Sequence, residues 1–422
     1  MLAPDHHPDI FRPVPRTGVI YVMAEAAQRG FSYGKPGWAN LGQGAPETGE
    51  LPGCTPRLHH IDVDPASHEY GPVAGLQELR AAVASLYNAR YRKGLPSQYT
   101  AENVAISAGG RTALTRVLAT LGNGHLGHLL PDYTAYEELL GIFRAFVPIP
   151  IVLDPQEGFA LTPARLRAEI VGKGLGAILL SNPCNPTGQV VRGREMRAWV
   201  ETSRQLGCAL ILDEFYSHYL YDAAAASEGP STSAARFVEN VDEDPVLLVD
   251  GLTKNWRYPG FRLAWTVGPK SVIERLISAG SFLDGGPPHP MQRAALPLLT
   301  RETADAEARA IQLAFAQKRQ RMLEQIPQMG LSLDHAPMGA FYCFVNLENL
   351  PPPLQDGHAF FRAALERQVI VVPGEFFDVN PGKRRSHIPS RLKSYVRLSF
   401  GPEAHVVQDG MDRLAAMISE LQ

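Results

Sequence analysis

Cysteine is scarce in this chain, with four in 422 residues, at Cys54, Cys184, Cys208 and Cys343. Their wide separation and the lack of a CxxC pair exclude a disulfide-stapled scaffold and suggest no zinc site. Reduced thiols in a cytoplasmic protein without a bound metal are the expectation. An excess of one charge is also missing: 40 Lys and Arg face 43 Asp and Glu, for a formal charge of -3. That balance gives no electrostatic argument for nucleic acid or an anionic membrane as partner. No apolar run reaches the roughly eighteen residues that a membrane span needs. The start, Met1-Leu2-Ala3-Pro4-Asp5-His6-His7, lacks the basic-then-apolar order of a secretory leader. What is present, 45% hydrophobic and 20% charged residues, is ordinary for a globular protein. The length allows about two or three domains.

Pro- and Gly-rich text fills residues 1–56, interrupted by one amphipathic piece from Val19 to Arg29. A helix follows from Leu76 to Tyr91, with Leu76, Leu79, Val83 and Leu86 at three- and four-residue steps. From about residue 103, short apolar runs alternate with helical stretches such as Arg194 to Leu206. The strand candidates are Val104–Ser107, His128–Leu130, Phe146–Ile151, Ala177–Ser181, Ala209–Leu212, Val246–Val249 and Leu263–Val267. Continuously apolar strands joined by helices predict an α/β fold with a mostly parallel sheet covered on both faces. After Gly285-Gly286-Pro287-Pro288 the pattern changes. A charged helix from Arg301 to Gln325 leads to strands near Ala340–Val345, Val369–Val372 and Tyr395–Phe400. The reading is a large α/β domain over 57–299 and a smaller α+β domain over 300–422, with which the 1–56 arm and helix pack.

In open α/β sheets, ligands bind beyond the C-terminal ends of the strands. Asn182, Asp213 and Thr253-Lys254 each follow such an apolar run, which places them on one crevice. Lys254 lies in Gly251-Leu252-Thr253-Lys254-Asn255-Trp256-Arg257-Tyr258-Pro259-Gly260-Phe261-Arg262. A lysine attacks carbonyl carbon only as the neutral amine, which burial and nearby cations favour. By itself it also reads as a surface lysine at a strand end. Asp213, in Asp213-Glu214-Phe215-Tyr216, suits either a helix N-cap or a carboxylate facing a protonated ring nitrogen. Glu214 is expected to face away. Ser107-Ala108-Gly109-Gly110-Arg111-Thr112-Ala113 follows a strand and opens a helix, where free N–H groups attract an anion. Arg397, in Val396-Arg397-Leu398-Ser399-Phe400, can grip a carboxylate bidentately or stand on an edge strand.

With Asn182-Pro183-Cys184-Asn185-Pro186-Thr187-Gly188 upstream of the Asp213 and Lys254 segments, the chain resembles the class I/II, aspartate-aminotransferase-like, fold type I family that uses pyridoxal 5'-phosphate (PLP). The resemblance runs from about Leu41 to Phe400. It implies a large PLP-binding domain and a smaller one. Lys254 would bind PLP as a Schiff base and shuttle the proton, and Asp213 would face the ring nitrogen. Asn185 and Tyr216 would reach the phenolic oxygen, and Tyr133 would stack on the ring. Gly110, Arg111, Thr253 and Arg262 would hold the phosphate, joined by Tyr70 from the partner subunit of a homodimer. Arg397 and the backbone of Gly44, with Asn185, would bind the substrate carboxylate. Gly251 departs from the family's usual serine, which puts a hydroxyl contact to the phosphate in question.

The activity so implied is ping-pong exchange of an amino group between an L-amino acid and a 2-oxo acid. A PLP lyase performing α,γ-elimination or β-elimination on the same scaffold is the alternative. Dicarboxylate-specific relatives carry an arginine in the segment matching residues 280–286, where this chain has none. Asp284 there reads as turn chemistry or as an attractant for a cationic side chain. Tyr21, Tyr33, Trp38 and Trp256 suit either a substrate pocket or the core, and the basic run 383–393 reads as a solvated loop.

Overall fold

The computed structural model describes residue 14, residues 16–221 and residues 229–421. The first thirteen residues of the expected arm lie outside the described residues.

Strand β1 (Ala39–Asn40) comes first, and seven further strands build the central sheet. These are β2 (Val104–Ser107), β3 (His125–Leu130), β4 (Val147–Val152), β5 (Leu175–Ser181), β6 (Ala209–Asp213), β7 (Val246–Gly251) and β8 (Ala264–Val267). Their spatial order is β2-β8-β7-β6-β5-β3-β4, and every pairing is parallel except the two made by β8. All residues of β2, β7 and β8 are buried, so both sheet faces are covered there, as their unbroken apolar runs predict. The expected strand His128–Leu130 begins earlier, at His125, because parallel pairing to β4 and β5 carries polar His125 and His128 into the ladder.

The connecting helices are bounded by local chemistry. In the helix Pro163–Lys173, Thr162 accepts a hydrogen bond from Arg165 N at 3.2 Å, Pro163 sits in the first turn, and Gly174 ends the helix in the left-handed region. The helix Gly193–Leu206 closes the same way on Gly207.

After β8 come the helix Arg301–Gln328, capped by Thr300, and four short strands: β9 (Tyr342–Asn346), β10 (Val369–Ile370), β11 (Val372–Pro373) and β12 (Tyr395–Ser399). The order β11-β12-β9 is antiparallel throughout. β1 pairs in parallel with β10, tying the early chain to this late region. Among the described residues, no helix is long and apolar enough to cross a membrane.

Candidate active site

Register brings the strand ends together. Ser181 at the end of β5 stands opposite Asp213 at the end of β6, and Gly251 at the end of β7 stands opposite Ala264 at the start of β8. Because β8 runs the other way, Arg262 just before it emerges at the same edge. The helix Gly110–Ala119 also begins there, after Gly109 in the left-handed region at φ 96°. Any side chain at Gly109 would strike Arg262, whose nearest guanidinium atom lies 2.1 Å from where a Cβ would stand.

These ends open into a cavity of about 410 Å³, within the ~300–1,000 Å³ typical of small-molecule sites. Its lining includes Gly44, Gly110, Arg111, Tyr133, Asn185, Asp213, Tyr216, Thr253, Lys254, Arg262 and Arg397. Tyr70 is the exception among the expected residues: in the single chain it is 98% exposed and does not line the cavity. Asn182, placed on the crevice by its strand end, is a correction. Its side chain is turned into the following loop, where it donates to Val191 O and accepts from Val191 N. A second cavity, of about 710 Å³, lies between residues 31–48 and 402–413 and holds neither the lysine nor these arginines. Its greater volume does not make it the chemical site.

Lys254 is half-buried, and its Nζ donates to Gly44 O. Burial, with Arg397, Arg111 and Arg262 nearby, pushes its amine down to about 7. Asp213 is pushed the other way, up to about 6, chiefly by burial. It accepts from Tyr136 Oη at 2.9 Å and, at 3.4 Å, from Phe215 N. Glu214 faces away, as expected, and accepts from Ala234 N. Burial raises its carboxyl to about 8.

Arg397 is 1% exposed. It donates to Asn185 Oδ1 at 2.9 Å and to Gly42 O at 2.6 Å, while its Nε has no partner. Its guanidinium carbon lies 4.1 Å from the centre of the Tyr342 ring, and Tyr342 Oη is 2.8 Å from Tyr216 Oη. Arg111 donates to Tyr133 Oη at 3.2 Å. The cavity therefore gathers three arginines and one lysine around a single carboxylate, Asp213. Such a site is built for an anionic ligand that brings more than one negative group.

Sequence reasoning missed Tyr136, Phe215 and Tyr342. Phe215 stands inside a quoted segment and Tyr136 three residues after Tyr133, but no spacing told which side chain would turn inward. Gly251 has its own reason: a Cβ there would lie 2.5 Å from Leu263 O and 2.7 Å from Ala264 Cα, so β8 leaves no room for serine. Asp284 is both turn and ion pair, accepting from Gly286 N and holding Arg116 through two bonds. Trp256 and Tyr21 are packed among other aromatics, whereas Tyr33 and Trp38 border the larger cavity. The basic run 383–393 is largely exposed, yet Lys383 is anchored on Glu137 and Arg385 on Asp378.

Sheet, crevice and half-buried lysine are those of a fold type I PLP enzyme. The family model "Aminotransferase class I and II" matches residues 36–414. A probable aspartate/prephenate aminotransferase of Thermus aquaticus is 31% identical over 82% of this chain and 83% of its own. The aspartate/prephenate aminotransferase of Thermus thermophilus is 29% identical over 83% of each chain. The solved aspartate aminotransferase of Thermus thermophilus with maleate superposes with a TM-score of 0.76 at 25% identity, covering 99% of this chain and 100% of that one. The chain belongs to the class I and II aminotransferases. It is a PLP-dependent transaminase.

Proposed function

We propose that Lys254 is the residue to which PLP attaches, and that amino transfer from an L-amino acid to a 2-oxo acid runs as two ping-pong half-reactions. The observation that carries this reading is Arg397: buried, in one cavity with Lys254 and Asp213, and lacking a carboxylate partner among the described residues. A buried cation without a counter-ion costs several kcal/mol, and a substrate carboxylate would supply the missing charge.

The residues present fit PLP. Asp213 offers a buried carboxylate to the ring nitrogen, with Tyr136 holding its far oxygen. Asn185, Tyr216 and Tyr133 line the same cavity; the first two would reach the phenolic oxygen and Tyr133 would stack on the ring face. The phosphate would be held by the first N–H groups of the helix at Gly110 and Arg111, by Thr253 and by Arg262. Tyr70, so exposed in one chain, would reach the phosphate of the partner subunit in a homodimer. The division into residues 1–56, 57–299 and 300–422 is part of the same reading, supported by the separate sheets before and after residue 300. Four unpaired cysteines support a reducing, cytoplasmic location.

When bound, PLP supplies a carbonyl carbon for amine exchange and an electron sink for charge at the substrate Cα. Asp213 would face the ring nitrogen and keep it protonated. Arg397 and the backbone at Gly44 hold the substrate carboxylate, which fixes the Cα–H bond. Lys254 Nζ, whose amine is brought down to about 7, would take that proton from Cα and return it to the cofactor's C4', on the far side of the bridging nitrogen. Replacing Arg397 with alanine should raise KM about 10²-fold for every amino-acid substrate, which steady-state kinetics measures. An unchanged KM would contradict the carboxylate role.

The named activities of the Thermus relatives suggest an acidic substrate. Arg111 supports this, because its guanidinium borders the cavity and contacts Tyr133 rather than a carboxylate. With Arg262 committed to phosphate and Arg397 to the α-carboxylate, Arg111 is left to face a distal one. Arg111→Gln should lower kcat/KM for aspartate roughly tenfold more than for alanine. An equal loss on both would remove Arg111 from substrate selection.

A further inference from the structure

Three residues after the lysine, Arg257 adopts φ 57°, a left-handed backbone that a bulky side chain rarely takes, and it is fully buried. Local preference does not explain it. Its partners show what the guanidinium does there. Nε donates to Glu307 Oε1 at 2.6 Å, on the second turn of the helix Arg301–Gln328. Nη1 donates to Gly49 O at 2.5 Å and Glu47 O at 3.2 Å, in the strip that continues from Gly44. The backbone N–H of Arg257 donates to Lys254 O at 3.0 Å, closing the turn that bears the lysine.

A second cation doubles the arrangement. Arg57 donates to Trp256 O at 3.0 Å and to Arg257 O at 2.8 Å, and its guanidinium lies 3.5 Å from the same Glu307. One buried carboxylate thus gathers two guanidinium groups, and these fix successive carbonyls after Lys254 together with two carbonyls of the 42–49 strip. Removing any member leaves buried charge or buried carbonyls unpaired, so the cluster holds one arrangement.

We infer that Arg257 is a positioning residue that sets the carboxylate-binding strip 42–49 and the Lys254 turn in fixed relation on the helix Arg301–Gln328. The inference rests on the reading of Gly44 and Arg397 as the substrate-carboxylate site. Arg257 would touch neither substrate nor cofactor, and would act through Gly44 on one side and Lys254 on the other.

The test uses the PLP-loaded enzyme, with maleate as a non-reacting dicarboxylate titrated by calorimetry at a temperature where thermal melts show every variant folded. Arg257→Gly suits the left-handed backbone while deleting the guanidinium, and Glu307→Gln keeps size while removing the anchoring charge. Both should bind maleate roughly tenfold more weakly than wild type, although Arg397 and Gly44 are intact. A purely structural role would lower the melting temperature and leave affinity in the folded enzyme unchanged. Affinities within about twofold of wild type in both variants would overturn the inference. Should Arg257→Gly fail to fold, Glu307→Gln decides by the same criterion. Failure of the wild-type enzyme to bind maleate would overturn this inference and the carboxylate reading together.

Discussion

Lys254→Ala should leave a folded protein whose turnover falls by roughly four orders of magnitude or more, since it deletes the group proposed as both attachment point and proton carrier. The expectation follows from placement. Desolvation first, and then the neighbouring Arg397, Arg111 and Arg262, bring the amine down to about 7, so the neutral nucleophile is within reach near neutral pH. No other lysine lines the cavity, so no neighbour can take over. The fold should tolerate the change, because a long side chain is shortened inside an existing cavity and the lysine's backbone bonds to Tyr219 and Arg257 remain. Steady-state turnover together with a thermal melt checks it. Activity near wild type in a folded variant would remove Lys254 from the chemistry.

Asp213→Asn should cost roughly 10²–10³-fold in kcat with little change in fold. The carboxylate is buried, and one oxygen already accepts from Tyr136 Oη. In the variant, the amide oxygen would keep that bond and turn the NH₂ group toward the ring nitrogen. A donor in that position disfavours a protonated ring nitrogen, and the electron sink is weakened. The charge-assisted bond alone is worth about 1.5–3 kcal/mol. A kcat within about threefold of wild type, in a variant with an unchanged melt, would contradict this role for Asp213.

Much of this was legible in the residues themselves. Most of the central strands are largely apolar because both faces are covered, so Ser107 and Ser181 could be placed at strand ends, and Asp213 and Thr253-Lys254 just past them. Chemistry clustering just past those ends follows from parallel topology. Convergence across the chain was not legible. β1 is two residues long and has no period to read, yet its pairing with β10 brings Gly44 near Arg397. Asn182 and Asn185 stand in one motif and are both buried, but only the second faces the cavity. Asp284 found Arg116 at a sequence distance of 168 residues, which no local pattern encodes. Tyr70, exposed in the single chain and outside the cavity lining, has a place at the site only in the homodimer proposed above. Arg257 reads in sequence as one more cation near the lysine; only its backbone angle and its hold on Glu307 set it apart.

The central claim is amino transfer in two separable halves. The direct test mixes PLP-loaded enzyme with aspartate and other L-amino acids, without any 2-oxo acid, and measures the 2-oxo acid and ammonia released per active site. One equivalent of 2-oxo acid, no ammonia, and a cofactor spectrum restored by adding a 2-oxo acid are predicted. Repeated turnover without an acceptor, releasing ammonia or a side-chain leaving group, would contradict the account and make the chain a lyase on an aminotransferase scaffold.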